Sequence, residues 1–364
     1  MKDLAVGGAM IDTIAIIDSD RIERMSMLNA DSSFLLLEEG RKTEAEEISI
    51  HPGGGAVNAA VAMARLEMDV SLLAKLGTDA RADAILARLA QEGVSSRWTM
   101  RDARSPTGAA VLIASHDRNA AIFTFRGANT LLEIKDLHDD AFAVDVVYVA
   151  NLSNQSADCF PGIVSRAKAH DALVAVNPGP RQLSARGQAF LESLSTIDIL
   201  VLNHTEADLL VPSLVARFGE GGPSLAFAPG EEAPALAARG LVAGGFEMGI
   251  AAYFCALTRL GPKHVVVTHG ASGAFVGSPN SLPRRSNRKS SARRGRETHS
   301  VRLEKCARYW KATFRQGARG SPSALGNRRT GPSRSDVERG NLSPELPRRA
   351  HEPRMSIGDV GPAR

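Results

Sequence analysis

Cysteine is scarce: Cys159, Cys255 and Cys306 are far apart and odd in number, which argues against a disulfide framework or a metal knuckle. No apolar run approaches the roughly 20 residues that a membrane helix needs. The opening stretch, MKDLAVGGAMIDTIAII, carries Asp3 and Asp12 and lacks the basic leader and small-residue cleavage site of a secretory signal, so a cytoplasmic location is expected. Aromatic residues make up only 5% of the chain, so Trp98 and the others read as packing and the core must rest on Ala, Val and Leu. No His/Cys/Asp spacing suggests zinc. The glycine cluster GGGAVNAA (53–60) does not complete GxGxxG, because Asn58 stands where the third glycine would fall, and no GK[ST] follows. Neither a dinucleotide fingerprint nor a P-loop is present.

The 364 residues are 43% hydrophobic, enough for one large domain or two smaller ones. Charge divides them sharply. From residue 281 onward 21 Lys and Arg stand against 7 Asp and Glu, whereas residues 1–280 carry 23 against 33. The second part is rich in Ser, Arg, Pro and Gly and buries too little to offset chain entropy, so residues 281–364 are expected to form a basic, largely disordered tail.

Residues 1–280 alternate short apolar runs with helical patterns, which predicts an α/β fold with a mostly parallel central sheet flanked by helices. LAVGGAM, VSLLAKL (70–76), VDVVYVA (144–150), ALVAVN (172–177), DILVLN (198–203) and KHVVVTH (263–269) read as strands covered on both faces. A helix is expected over 79–93, ending on Gly93, and another over FEMGIAAYFCALTRLG. Alternating stretches within 12–50 and about 97–127, such as AEEISI, GAAVLIAS and AAIFTFRG, suit antiparallel strands with one wet face. They predict a small β-layer projecting from the body. Residues 211–245 form a Gly/Pro-punctuated insertion.

Three consecutive glycines before a helix have two readings. A polyol or sugar lies against bare peptide, with Asn58 offering a donor and an acceptor, or a tight turn packs the helix on the sheet. The order of further signals bears on the choice: GGGAVN, LAKLGTD, TGAAVLI, RGAN, VNPGP, LNHTEADLL and VVVTHGASGAFV. Over residues 4–277 this series resembles the ribokinase-like (PfkB) carbohydrate kinase family. The resemblance implies a β-sheet lid over a sugar, and transfer of the ATP γ-phosphoryl group to a hydroxymethyl of a sugar or nucleoside with Mg2+.

By that resemblance Asp12 receives acceptor hydroxyls, since a carboxylate accepts two strong hydrogen bonds from a diol. Gly53, Gly54 and Gly55 match the segment against which the sugar lies, and Asn58 the asparagine that bonds it. Asn203 and Glu206 of NHTE match the phosphate and magnesium motif; the alternative for NHTE is a helix N-cap. Thr268, Gly270 and Gly273 match the nucleotide segment; the alternative is a hairpin turn.

The family's GAGD-type motif, whose aspartate takes the proton from the attacking hydroxyl, is not found in residues 278–364, so no catalytic base is assigned. SIGDVG (356–361) has no apolar helix behind it. Three explanations fit: a shifted reading frame, a natural basic tail, or a diverged non-catalytic relative. Composition favours the first. Residues 1–280 are therefore expected to be an incomplete kinase domain with impaired activity. The alternative is a non-catalytic sugar-binding or regulatory protein whose tail binds nucleic acid, otherwise not an expected partner. An exposed lid strand offers an edge for pairing into a homodimer.

Overall fold

The computed structural model describes residues 1–18, 23–26, 33–36, 39–40, 42–115, 120–222, 225, 235–270, 273–279 and 281–286. All of them fall in one unit, Met1–Arg315. The tail expected over 281–364 lies outside the described residues from residue 287 on.

The chain begins with β1 (Lys2–Val6), β2 (Met10–Ile17), β3 (Glu23–Ser26), β4 (Ser33–Leu36) and β5 (Glu47–Gly53). Helix α1 (Gly55–Ala64) leads to β6 (Asp69–Leu76), α2 (Ala80–Gln91), β7 (Thr99–Arg101), β8 (Gly108–Ser115) and β9 (Ala120–Phe125). Next come β10 (Val146–Val149), α3 (Phe160–Ala169), β11 (Leu173–Val176), α4 (Pro180–Ala185), α5 (Gly187–Glu192) and β12 (Ile199–Asn203). Then follow α6 (His204–Asp208), α7 (Val211–Phe218), α8 (Ala235–Arg239), β13 (Leu241–Ala243), β14 (Phe246–Met248) and α9 (Ile250–Leu260). The last described elements are β15 (His264–Thr268), β16 (Ala274–Ser278) and β17 (Ser281–Ser286).

Nine strands form the main sheet in the order β17-β16-β15-β12-β11-β10-β1-β6-β7. The seven from β15 to β7 run parallel, and β16 and β17 join antiparallel. The apolar runs work as expected, with successive side chains feeding opposite faces. Leu4, Val6, Val147, Val149, Val174, Val176, Leu200 and Leu202 pack with Phe160, Phe190, Leu214 and Tyr253 of α3, α5, α7 and α9. Ala5, Leu72, Ala74, Tyr148 and Ala175 pack on the other side with Ala56 and Ala60 of α1 and Ile85 and Leu89 of α2. On that second face Val201 and Val266 stay half-buried.

The helix expected to end on Gly93 does so. Asp79 caps its start by accepting from Ala82 N at 3.2 Å, and Gly93 turns at φ 72° while Val94 N returns to Leu89 O at 2.9 Å.

A second sheet has the order β5-β2-β8-β9 and matches the expected small β-layer. Two details differ from the sequence reading. β2 pairs with β8 in parallel, because these strands come from separate excursions of the chain, so the layer is mixed rather than antiparallel. One face is also not wet in the polar sense: Ile48, Ile50, Val111, Phe123 and Phe125 line it and are exposed. Thr99–Arg101, expected near the lid, instead extends the main sheet beside β6. The stretch FEMGIAAYFCALTRLG is not one helix. Gly244 and Gly245, with φ 61° and 81°, turn Leu241–Ala243 back onto Phe246–Met248, and α9 starts only at Ile250. Strand pairing also continues through Ser286, past the change in composition at residue 281.

One core position conflicts with its surroundings. Asp3 is 1% exposed and neither carboxylate oxygen has a hydrogen-bond partner among the described residues. Burial pushes its pKa up to about 7, with Asp145 and Asp69 adding repulsion and the N-terminal amine opposing them. The folded pKa lies above the unfolded value, so the fold holds the proton longer and stability falls as pH rises from about 4 to about 7. Asp3→Asn is expected to remove that slope and to add about 1–3 kcal/mol at pH 8 while matching the parent near pH 4. Urea unfolding across that range checks it, and identical pH slopes for the two proteins contradict it.

Candidate functional site

The residues singled out by sequence gather along the carboxyl edge of the parallel strands, the usual place for ligands in open α/β sheets. The bend Gly7–Ala9 carries the chain off β1 into β2, which leaves the main sheet with Asp12 opposite His51 of β5 and Ala110 of β8. Gly53 ends β5 beside it, so Asp12 and the triple glycine share one corner.

Each glycine there makes room for something. A Cβ on Gly53 would collide with Asp12 Oδ2. One on Gly54, at φ 99°, would come 2.5 Å from Gly8 O. One on Gly55 would sit 2.9 Å from Ala150 Cβ and 3.2 Å from Asn151 Oδ1. Ala56 N then donates to Gly8 O at 3.2 Å, locking the start of α1 to the bend. The bareness of this segment is thus accounted for by the protein's own close packing.

The open polar groups are the side chains around it. Asp12 is half-buried and its carboxylate has no hydrogen-bond partner among the described residues. Burial pushes its pKa up to about 6, with the charge of His51 pulling the other way. Asn58 lies one helical turn beyond Gly54, its backbone N bonded to Gly54 O at 2.9 Å, and its side-chain amide is unpartnered among the described residues. Asn151, just past β10, is also half-buried, its amide unpartnered among the described residues. Sequence reading missed Asn151; its one signal was a polar residue directly after an apolar strand.

Three strands away across the sheet, about 14 Å at the usual spacing, lies the NHTE segment. Asn203 and Glu206 form a reciprocal capping box: Asn203 Oδ1 accepts from Glu206 N at 2.8 Å and Glu206 Oε2 accepts from Asn203 N at 2.9 Å. The N-cap alternative is therefore realised, and it leaves Glu206 Oε1 without a hydrogen bond among the described residues. Glu206 is 7% exposed, and burial raises its pKa against the opposing bonds from Asn203 and Asn177. Asn177 of VNPGP, given no role by sequence, donates to Val201 O at 2.9 Å and contacts Glu206 Oε2 at 3.5 Å.

Thr268 is next to Asn203 in the sheet register. Gly270 and Gly273, at φ 49° and 100°, turn β15 into β16, with His269 N bonded to Gly273 O at 2.8 Å. The hairpin alternative is realised here too; Ala271 and Ser272 lie outside the described residues. Next to Thr268 and Asn203, the rings of His269 and His204 meet edge to face with centroids 5.1 Å apart.

Other motif residues hold the corner together. Asn129 of RGAN clamps Ala9, accepting from its N and donating to its O, both at 2.8 Å. Thr107 accepts from Gly77 N at 2.9 Å and donates its own N to Asp79 Oδ2 at 2.9 Å. Among the described residues no group of three or more His, Cys, Asp or Glu is arranged to hold a metal ion. A single carboxylate with one free oxygen, as at Glu206, still fits a hard cation that keeps most of its water.

The family model for pfkB family carbohydrate kinases matches residues 17–217. Ribokinase of Staphylococcus aureus (strain COL) is 30% identical over 201 residues, covering 53% of this chain and 63% of that protein. Deoxyribokinase of Salmonella typhi is 27% identical over 201 residues, covering 54% and 62%. The chain therefore spans less than two thirds of the curated relatives it matches. Among solved structures, Arabidopsis thaliana ribokinase complexed with ribose and ATP aligns over 86% of each chain with TM-score 0.59 and 19% identity. Ribokinase from Cryptococcus neoformans var. grubii serotype A in complex with ADP aligns over 87% of this chain and 88% of that one, with TM-score 0.61 and 17% identity. These likenesses establish the fold.

The packing at Gly54 yields a direct expectation. Gly54→Ala must strain a left-handed backbone and displace the Gly8 carbonyl, lowering stability by about 1–3 kcal/mol. Gly187→Ala, where a Cβ meets nothing within 4 Å, serves as the control and changes stability little. Denaturant unfolding of the two variants decides it; equal midpoints would contradict the close approach.

Proposed function

The chain belongs to the pfkB family of carbohydrate kinases, and we propose that its carboxyl-edge corner seats a sugar or nucleoside for phosphorylation of a hydroxymethyl group by ATP. The observation that carries this reading is the half-buried, unpartnered carboxylate of Asp12 beside Gly53. A carboxylate in that condition is costly unless a ligand supplies donors, and a vicinal diol supplies two. Asn58 lies nearby on the first turns of α1, with both a donor and an acceptor free.

On the far side of the edge, Thr268, Gly270 and Gly273 take the nucleotide, and Asn203 and Glu206 the phosphate region. Glu206 would hold Mg2+ through its free oxygen and ordered waters, and the cation would offset phosphate charge. The capping box fixes the Glu206 side chain, so the carboxylate is preorganised for that role.

The reading also includes an impairment. No residue of this chain is assigned as the base that removes the proton from the attacking hydroxyl, and positioning and charge stabilisation make up most of phosphoryl-transfer catalysis.

Thermal-shift and calorimetric titration with D-ribose, D-fructose and adenosine tests the seat, since a ligand that binds only the native state raises apparent stability. One of these acceptors is expected to bind, and Asp12→Asn to weaken it at least tenfold. Affinity should rise with pH through about 6 as Asp12 ionises. Binding indifferent to Asp12, or no binding at all, contradicts the seat. Turnover with ATP and magnesium is expected to be very weak, and rapid turnover would overturn the impairment.

A further inference from the structure

His51 stands beside the open carboxylate and has no part in the roles above. In the lid it pairs with Asp12, β5 running antiparallel to β2, and directly opposite residues of such a pair hold their Cβ atoms about 4.5–5.5 Å apart on one face of the sheet. A second contact puts them on the same face. Residues 51 and 53 of β5 point the same way, and a Cβ on Gly53 would run into Asp12 Oδ2 and come 3.0 Å from Asp12 Cγ. The carboxylate therefore lies along β5 with the bare Gly53 on one side and His51 on the other.

The remaining neighbours of Asp12 offer it nothing. Across the lid the row reads His51, Asp12, Ala110 and Thr124, one residue from each strand. Ala110 is buried and small, so it closes one flank of the acid without a polar atom, and Thr124 is two strands away. Ile11, on the opposite face of β2, shares an apolar cluster with Ile85 and Leu89 of α2. Among the described residues His51 is thus the titratable group that faces Asp12 from a neighbouring element, and its charge opposes the effect of burial on the acid. His51 is exposed, with no hydrogen-bond or ion-pair partner among the described residues. A carboxylate can only accept, whereas an imidazole N–H donates, so together they suit a group that does both. A hydroxyl is such a group.

We propose that His51 is an acceptor-binding residue: one hydroxyl of the acceptor bridges the pair, donating to the Asp12 carboxylate and accepting from a ring N–H of His51. The pair then selects for a hydroxyl at that point, because a deoxy analogue leaves both polar groups unpaired. The bridge rests on the acceptor seat proposed above and gives that seat its selectivity.

Calorimetric titration of the full chain with D-ribose, D-fructose and adenosine, and with the monodeoxy analogues of whichever binds, tests the bridge. His51→Ala is expected to weaken that acceptor about fivefold or more, and His51→Gln, which keeps a neutral N–H donor, to lose less. At one ring position, removing the hydroxyl should cost wild type about tenfold or more and His51→Ala clearly less, since one of its two partners is already gone. The pH profile adds a readout that loss of a merely structural side chain does not move. Without the charge of His51 the Asp12 carboxyl ionises at higher pH, so the rise in affinity shifts to higher pH in both variants. Binding that needs Asp12 but has the same strength and pH midpoint in His51→Ala overturns the bridge and leaves the seat standing. A deoxy penalty equal in wild type and His51→Ala does the same. Failure of wild type to bind any of the three acceptors removes the seat, and the bridge with it.

Discussion

The carboxylate of Asp12 and the backbone of Gly53 to Gly55 occupy the same corner, and most of the arrangement at the strand edge follows from that constraint. A side chain on Gly53 would displace the carboxylate, and one on Gly54 would displace the Gly8 carbonyl that receives Ala56 N. The bend after β1, the end of β5 and the start of α1 therefore fix one another. The lid sheet is carried on the same strand as Asp12, so the position of the lid and the position of the acid are one structural decision.

Buried charge is handled in two ways in this protein. Where it is structural it is saturated: Lys75, 5% exposed, is matched by Asp136 at 2.6 Å, Asp102 at 3.5 Å and the Leu131 carbonyl at 3.0 Å. That network ties β6 to the segment returning from the lid. Asp198 is likewise met by Lys168, Lys263 and the Val174 amide. Breaking such pairs leaves an uncompensated charge, so they hold geometry more than they add stability. At the carboxyl edge the pattern is the reverse. Among the described residues Asp12, Asn58 and Asn151, all half-buried, are left open, and a concentration of open polar groups in one place distinguishes a binding edge from a solvated surface. Asp3 is the exception, a buried acid at the opposite ends of the strands with no hydrogen-bond partner among the described residues.

Much of this was legible in the sequence. Continuous apolar runs gave the parallel strands, because burial on both faces removes the polar alternation, and Asp79 and Gly93 marked both ends of α2. The corner of Asp12 and the glycines was legible only through family resemblance, since β2 and β5 meet by tertiary pairing that no local pattern encodes. The same limit hid the parallel pairing of β2 with β8 and the turn at Gly244–Gly245 that splits FEM from α9. Single-residue signals failed where one residue does two jobs: Asn203 and Glu206 cap a helix whether or not they also face phosphate.

The central claim is that a polyhydroxy acceptor is held by the Asp12 carboxylate at the triple-glycine corner. A crystal structure of the chain grown with a saturating pentose measures it most directly. The account predicts ring density with two hydroxyls within hydrogen-bonding distance of the Asp12 oxygens and one near the Asn58 amide. Pentose density elsewhere on the molecule, with Asp12 left solvated, would contradict it.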